Sequence, residues 1–245
     1  MAPSARLGTG MMCPPRGTMP AWLEPYLPIV SRSQLFSGLG AREVPAVLGC
    51  LHPERRRYSQ GEYVLRMGDS LHTVPLVVEG GVTVVQEDWW GNRNIQNRAT
   101  AGETFAVAFA LTPNMPLTVS AVAQEDTTIV MLGVTQMLTS CANACPFHMR
   151  LLQNLVGDVA QKNLQVMSKL SYLSERTTRG KLLAYLSAES RRAASPTFTI
   201  PYNRQQLADY LSVNRSAMCS ELTHMAEDGL IRFNRNRFTL LAPAE

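Results

Sequence analysis

The sequence predicts an α+β fold: an N-terminal antiparallel β-barrel or jelly roll, one long helix, and a C-terminal winged helix-turn-helix. Three observations carry this. Short β-branched runs recur between glycine-containing turns across residues 63–132, the pattern of a compact antiparallel barrel. A stripe of Leu and Val alternates at spacings of four and three through residues 147–173, as the seam of a left-handed coiled coil requires. Two short helical segments meet at a three-residue joint and lead into a basic hairpin.

Taken in order, residues 1–20 mix Pro, Gly, Ser and Met without periodicity. They are expected to form a disordered tail, with Met11, Met12 and Met19 as alternative starts. A helical segment over 34–50 leads into the barrel, whose expected bounds are 34–140. Its strands are predicted at Tyr63-Val-Leu, Thr73-Val-Pro-Leu-Val-Val, Val82-Thr-Val-Val, Asn94-Ile-Gln-Asn-Arg and Thr127-Thr-Ile-Val-Met-Leu, with Gly61, Gly68, Gly80, Gly91 and Gly102 in the turns. Trp89 and Trp90 stand together at a predicted hairpin tip, where the expectation is that they fold back on their own sheet, and no function is assigned to them.

Cys141, Cys145 and His148 lie close in sequence. Such a group has the chemistry to ligate zinc or haem or to act as a thiol switch, but zinc wants a fourth ligand and none is evident nearby. Buried structural cysteines are the main expectation, and no metal ligand is assigned. The five cysteines are odd in number and unevenly spread, so they do not form a disulfide framework.

The long helix, expected over 146–173, carries Leu152, Val156, Val159, Asn163, Val166, Leu170 and Leu173 on one stripe. Left alone, that stripe would stay wet. Two occupants are open to it: a second copy of the helix, or the chain's own barrel. Asn163 favours the first, because a lone amide in such a seam pairs with its symmetry mate and sets register and two-strandedness. A further helix is predicted over 178–189 with Leu182, Leu183 and Leu186 inward, then a polar loop over 190–195.

The last part is the most informative. Asn203 is placed to cap a first helix with Leu207, Ala208 and Leu211 on one face, and Asn214 to cap a second. In the second helix Met218, Leu222 and Met225 point inward, leaving Arg215, Ser216, Cys219, Ser220 and Thr223 outside. That face is small and polar, with one long cation at its first turn. Such a surface fits a major groove, where an arginine grips guanine bidentately; the plainer alternative is a corner between packed helices. Gly229 ends the helix, and Leu230-Ile-Arg-Phe-Asn-Arg-Asn-Arg-Phe-Thr-Leu-Leu reads as two strands around a turn.

This order of elements, with Arg204-Gln-Gln-Leu-Ala-Asp-Tyr-Leu, Arg215-Ser-Ala-Met and the Gly229-Leu-Ile close, resembles the DNA-binding domain of the Crp/Fnr family of bacterial transcription regulators. The resemblance implies that the barrel is a cyclic-nucleotide-binding-like sensor, the long helix the homodimer interface, and the region 174–245 the reader. It implies that Arg215, Ser216 and Ser220 face bases, with Cys219 beside them. Asn203, Gln205 and Asn214 would hold phosphates, and Arg204 belongs to the same DNA-facing set. Many relatives carry a second arginine where this chain has Ser220, so the operator sequence does not follow.

The resemblance also supplies a test of the effector. Gly102-Glu-Thr-Phe-Ala-Val begins like the family's cyclic-phosphate cassette, but Leu117 stands where its arginine is expected. A buried phosphate without a cation would be uncompensated, so cyclic AMP is not the expected effector. Phe105, Val107, Phe109, Leu117 and Val119 either line an apolar pocket for a less charged ligand or are barrel core. Some relatives hold an iron-sulfur cluster through grouped N-terminal cysteines; Cys13 stands alone.

Composition bounds the rest. With 245 residues and 45% apolar content, the chain holds two modest cores. The net charge of +4 is concentrated in the reader: residues 175–245 hold ten Lys or Arg against seven Asp or Glu, and the remainder thirteen against twelve. No apolar run approaches the roughly 20 residues that span a bilayer, and no secretion signal is present, so a cytoplasmic protein without a membrane partner is expected. An enzyme is not: there is no phosphate loop, no nucleophile-base pairing and no useful spacing among His52, His72, His148 and His224.

The expected partners are double-stranded DNA with a palindromic operator, a second copy of the chain, a small-molecule effector and, for activation, RNA polymerase. No stretch identifies a polymerase surface or a cofactor. The alternative is a haem-, metal- or thiol-based redox sensor with the same DNA-binding output.

Overall fold

The computed structural model describes residues 18–91, 93–139 and 146–241. The predicted tail therefore lies outside the described residues up to position 17, as do Cys13, Cys141 and Cys145. Order begins at once: Met19 and Trp22 pack partly against the first core. The lead-in is also longer and more broken than expected. A 3-10 turn at Ala21–Tyr26, helix α1 (Leu27–Val30), a second 3-10 turn at Gln34–Phe36 and helix α2 (Glu43–Cys50) precede the first strand. Pro25 and Pro28 interrupt any longer helix by removing donors.

Seven strands follow: β1 (Glu54–Tyr58), β2 (Tyr63–Leu65), β3 (Thr73–Glu79), β4 (Gly81–Glu87), β5 (Arg93–Thr100), β6 (Ser120–Ala123) and β7 (Thr127–Gly133), with helices α3 (Val107–Leu111) and α4 (Val134–Leu138). They form two antiparallel sheets, β1-β7-β3 and β2-β6-β4-β5, which pack as a jelly-roll-like sandwich rather than a closed barrel. Every residue from Val74 to Val78 is buried, so both faces of β3 are covered. Gly80 joins β3 to β4 at φ +75°, and a Cβ there would stand 2.5 Å from the Asp126 carbonyl oxygen, so the turn admits only glycine. Two strands were not predicted. β1 is Glu-Arg-Arg-Arg-Tyr, an exposed edge strand with no apolar alternation, and β6 is Ser-Ala-Val-Ala, whose small side chains are all buried.

Helix α5 (Pro146–Leu173) runs unbroken for 28 residues. It meets the sandwich with Leu151, Leu155, Asp158, Lys169 and Tyr172, all buried. Helix α6 (Thr178–Ala193) is capped by the Thr177 hydroxyl and continues four residues past the predicted end. The predicted loop at 190–195 thus begins as helix, because Ala194 adopts the left-handed conformation only after Arg191 and Arg192 have closed the last turn. Next come β8 (Thr197–Thr199), α7 (Arg204–Leu211), α8 (Arg215–Glu227), β9 (Ile231–Asn234) and β10 (Arg237–Leu240), with a three-stranded sheet in the order β8-β10-β9.

The two cores touch. Val85, Ile95 and Val122, on the outer side of the second sheet, join one cluster with Tyr185, Leu207 and Leu211. Polar bonds fix the seating. Asn94 Nδ2 donates to Ser212 Oγ (2.7 Å), Gln206 Nε2 to Gln124 Oε1 (2.9 Å) and Arg98 Nη1 to the Pro201 carbonyl (2.5 Å). Lys169 lies at the junction. Its Nζ donates to Ile95 O (2.5 Å) and Asn94 Oδ1 (3.2 Å) and stands 4.6 Å from the Tyr210 ring centroid.

Among the described residues no carboxylate pairs with Lys169, and burial pushes its pKa down from 10.5 to about 8. Between those values the unfolded chain binds the extra proton, so stability rises with pH. Above pH 10 the trend reverses, because burial holds Tyr185, Tyr202 and Tyr210 above their ordinary range. Urea unfolding of the wild type and Lys169→Met at pH 8 and pH 10 should therefore show the wild type gaining roughly 1–3 kcal/mol on the variant over that window. Parallel curves would show that the amine is not held neutral.

Candidate nucleic-acid interface

The interface is assembled from α7, α8 and the β9-β10 hairpin. Asn203 starts α7 with a reciprocal capping box: its Oδ1 accepts from the Gln206 backbone N–H (2.9 Å), and its own N–H donates to Gln206 Oε1 (3.0 Å). Leu207, Ala208 and Leu211 are buried, as their spacing predicts. Ser212 then turns the chain at φ +51°, a left-handed conformation that is costly for a non-glycine residue, and its hydroxyl is held by Asn94. Asn214 Oδ1 accepts from the Ala217 N–H (3.1 Å) and starts α8.

Met218, Leu222 and Met225 bury the inner face of α8 at 0%, 1% and 0% exposure. On the other face Arg215, Ser216, Ser220 and Thr223 are exposed, with Cys219 partly buried between them as a free thiol. Arg215 makes no ion pair among the described residues and projects from the first turn, where α8 also presents its positive dipole end. The residues expected to act together are therefore on one continuous surface. Asn203 and Asn214 are also exposed, but each spends its side-chain oxygen on a cap, leaving the amide NH2 to face outward. Gln205 is exposed, with Nε2 donating to Asp209.

Arg204 is placed differently. Its guanidinium lies 5.0 and 5.2 Å from the ring centroids of Phe233 and Phe238, half-buried, with its pKa lowered by desolvation. It braces the hairpin against α7 instead of projecting freely. Arg232, Arg235 and Arg237 stand exposed on that hairpin, and Arg235 forms its tip at φ +51°. Arg179 of α6 clamps the far end of α8 through Glu221 (3.5 Å) and Asp228. No periodic signal marks Arg179 in the sequence, because ion pairs across 40 or more residues leave none.

Two other predicted groups can be located. Phe105, Val107, Leu117 and Val119 are buried in the first core, with Phe109 packed partly against it. Near them Thr104 Oγ1 donates to Asp158 Oδ2 (2.7 Å) and accepts from Lys162 Nζ (2.7 Å), while Lys162 reaches Asp158 Oδ1 (2.5 Å). The α5 stripe is open in part: Val156, Val166 and Leu170 are 64%, 57% and 61% exposed and Asn163 is exposed, while Leu152 and Val159 pack partly against the chain's own sandwich core. Met149, three residues before Leu152, extends the stripe by one position at the same spacing, and Leu164 and Met167 widen it.

His148 is buried, and its Nδ1 has no hydrogen-bond partner among the described residues. Among the described residues no group of three or more His, Cys, Asp or Glu is arranged to hold a metal ion. The tryptophan pair overturns its expectation: Trp89 and Trp90 are 94% and 83% exposed, because the turn between β4 and β5 projects beyond the sheet instead of lying on it.

Comparison with known proteins agrees with this layout. The cyclic nucleotide-binding domain pattern matches residues 55–143, and the Crp-like helix-turn-helix domain pattern matches residues 180–245. The transcriptional activator protein FnrL of Cereibacter sphaeroides is 25% identical over 203 residues, covering 76% of this chain and 75% of that protein. FixK2 of Bradyrhizobium japonicum superposes with a TM-score of 0.61 at 18% identity, covering 79% of this chain and 94% of that one. The c-di-GMP-responsive regulator CLP of Xanthomonas campestris gives 0.62 at 19%, covering 78% and 95%. At such identities the structures establish the fold. Among the described residues no helix is long and apolar enough to cross a membrane.

The caps can be separated from any outward role of the same residues. Asn214→Ala should cost about 1 kcal/mol of stability in urea unfolding, and Asn214→Asp, which caps equally well, close to nothing. Equal losses would mean that the Asn214 oxygen does not cap α8.

Proposed function

Since the chain belongs to the Crp/Fnr family of transcription regulators, a family of DNA-binding proteins and not of enzymes, we propose that it acts as a homodimer reading a roughly palindromic operator. Two copies of α8 would enter successive major grooves on one side of the duplex, about 34–36 Å apart. The observation that carries this is the outer face of α8: small, polar, exposed, and led by one guanidinium that has no ion pair among the described residues. Arg215, Ser216 and Ser220 face the bases with Cys219 beside them, and the exposed side chains of Asn203, Gln205 and Asn214 approach phosphates. Arg204 acts through the hairpin it braces. The exposed part of the α5 stripe, Val156, Asn163, Val166 and Leu170, supports pairing of α5 with its copy in parallel through Leu152, Val156, Val159, Asn163, Val166, Leu170 and Leu173.

The sensor sandwich would bias the dimer between geometries that meet or miss the groove spacing, which requires only a few kcal/mol of differential effector binding. Leu117, buried at 2% exposure, supports an effector other than cyclic AMP, since a cyclic phosphate there would lack a cation. A second reading, a haem-, metal- or thiol-based redox sensor with the same output, is favoured by the unpartnered Nδ1 of His148, near Cys141 and Cys145 in sequence. Absorbance spectra and metal analysis of protein purified without air decide between the two.

Operator sequences come from selection out of random DNA in reducing, oxidising and ligand-supplemented buffers. On the selected operator Arg215→Ala should lose about 1–3 kcal/mol of specific binding and keep its salt-dependent, non-specific binding. Equal loss of both would make Arg215 a phosphate contact. Micromolar cyclic AMP should leave operator affinity unchanged, and a rise in affinity would refute the argument from Leu117.

A further inference from the structure

The β9-β10 hairpin closes through a two-residue turn, Arg235-Asn236, and leaves Arg232, Arg235 and Arg237 exposed. From Gly229 to Leu241 no acidic residue offsets them, and among the described residues none of the three makes an ion pair. Cations this close together raise a local positive potential that calls for an anion.

Register sorts the three. Cross-strand partners share a face, so the pairing of Asn234 with Arg237 and of Arg232 with Thr239 puts two guanidiniums on the side opposite the buried Ile231 and Phe238. Arg235 belongs to neither face, because it occupies the tip.

That tip is held firmly. Asn236 is tied twice to Ile200, just past β8: its Nδ2 donates to the Ile200 carbonyl (3.2 Å), and its own carbonyl accepts from the Ile200 N–H (2.9 Å). Arg204 braces Phe233 and Phe238 behind it. Arg235 itself stands at φ +51°, a conformation that suits glycine or asparagine. A contact that Arg232 or Arg237 could make from an ordinary strand position does not need that strained one.

Its neighbours place the tip on the duplex. Arg235 and Asn236 line one hollow of about 500 Å3 with Asn203, Arg204 and Gln206 at the start of α7, and no carboxylate lines it. When α8 lies in a major groove, α7 crosses the sugar-phosphate strand that bounds that groove. The same strand bounds the next minor groove, so a tip beside the start of α7 stands at the minor groove's edge. Where A·T-rich DNA narrows this groove, its negative potential deepens and it takes an arginine.

We infer that Arg235 enters the minor groove flanking each half-site and reads its width, favouring A·T-rich flanks that α8 never touches. This rests on the reading of α8 as the major-groove helix. The residues of α8 set the half-site, and Arg235 sets what surrounds it.

Fluorescence anisotropy of the full chain on duplexes that share their selected half-sites and differ only in the flanks tests this. Three flanks are compared: A·T, G·C, and inosine·C, which keeps the major-groove face of G·C but lacks the amino group that G·C puts in the minor groove. The wild type should bind A·T and inosine·C flanks about 5- to 30-fold more tightly than G·C flanks. Arg235→Ala should bind all three alike, at the level of the G·C duplex, and still discriminate against a changed half-site guanine. Arg235→Gly, which suits the left-handed turn, should lose the flank preference while its urea midpoint rises, a combination that a merely structural arginine would not give.

A wild type that ignores its flanks, or a preference that survives Arg235→Ala, would overturn the inference and leave α8 as the half-site reader. Inosine·C flanks that behave like G·C would move the reading to the major groove and overturn it as well. A wild type that does not discriminate between half-sites would refute the groove reading of α8 and take the inference with it.

Discussion

One helix with two working faces organises this molecule. On the first face of α5, Leu151 and Leu155 sink into the sandwich core, and Asp158, Lys162 and Lys169 add polar ties. On the second, about 100° around, Val156, Asn163 and Leu170 stay open to solvent. Neither face is wide enough to be satisfied by the other's partner. A helix of 28 residues is about 42 Å long, so groups anchored near its two ends are held at a fixed separation that no loop could maintain.

The reader depends on that helix indirectly. It is seated on the second sheet through an interface that is apolar at its centre, with Val85, Ile95 and Val122 against Leu207 and Leu211, and polar around it. Four tyrosines crowd the junction: Tyr202 stacks on Tyr210 at 4.7 Å between ring centroids, and Tyr185 contacts both Tyr172 and Tyr210. Aromatic pairs add specific geometry to area burial, so they define an orientation and not merely adhesion. The Tyr185 hydroxyl and the Arg98 Nε are buried there without hydrogen-bond partners among the described residues. Such groups cost free energy where they sit, so this seating is less stable than its buried area implies.

How much of this was legible follows from which residues carry periodic signals. The paired helices of the reader were readable because caps and inward residues are local: Asn203, Asn214, Met218, Leu222 and Met225 fall where spacing puts them. The stripe on α5 was readable for the same reason. β1 was not, since an edge strand of Glu and Arg has no buried face to betray it, and the end of α6 was misplaced because Ser190 to Ala193 is polar yet helical. Trp89 and Trp90 were misjudged because a general tendency of turn aromatics was applied to a tip whose direction depends on the sheet. The bracing of Arg204 on Phe233 and Phe238 joins residues 29 or more positions apart, and no single-sequence pattern encodes such a pairing.

The coupling between sensor and reader then reduces to a question of which contacts tolerate displacement. Apolar contacts in the sandwich slide at little cost over short distances, because dispersion falls off gradually and many atoms share it. Hydrogen bonds to a buried carboxylate do not. Thr104 and Lys162 both satisfy Asp158, which is 6% exposed, and losing either would leave lone pairs stranded away from water. Any shift of the segment around Thr104 is therefore carried by α5 as a rigid body. Lys169, 11 residues or about 16 Å farther along, sits between that helix, Asn94 and the Tyr210 ring, so the same shift arrives directly beneath the first reader helix. The sandwich is thus tied to the helix-turn-helix through one rigid helix, and that tie is polar at both ends.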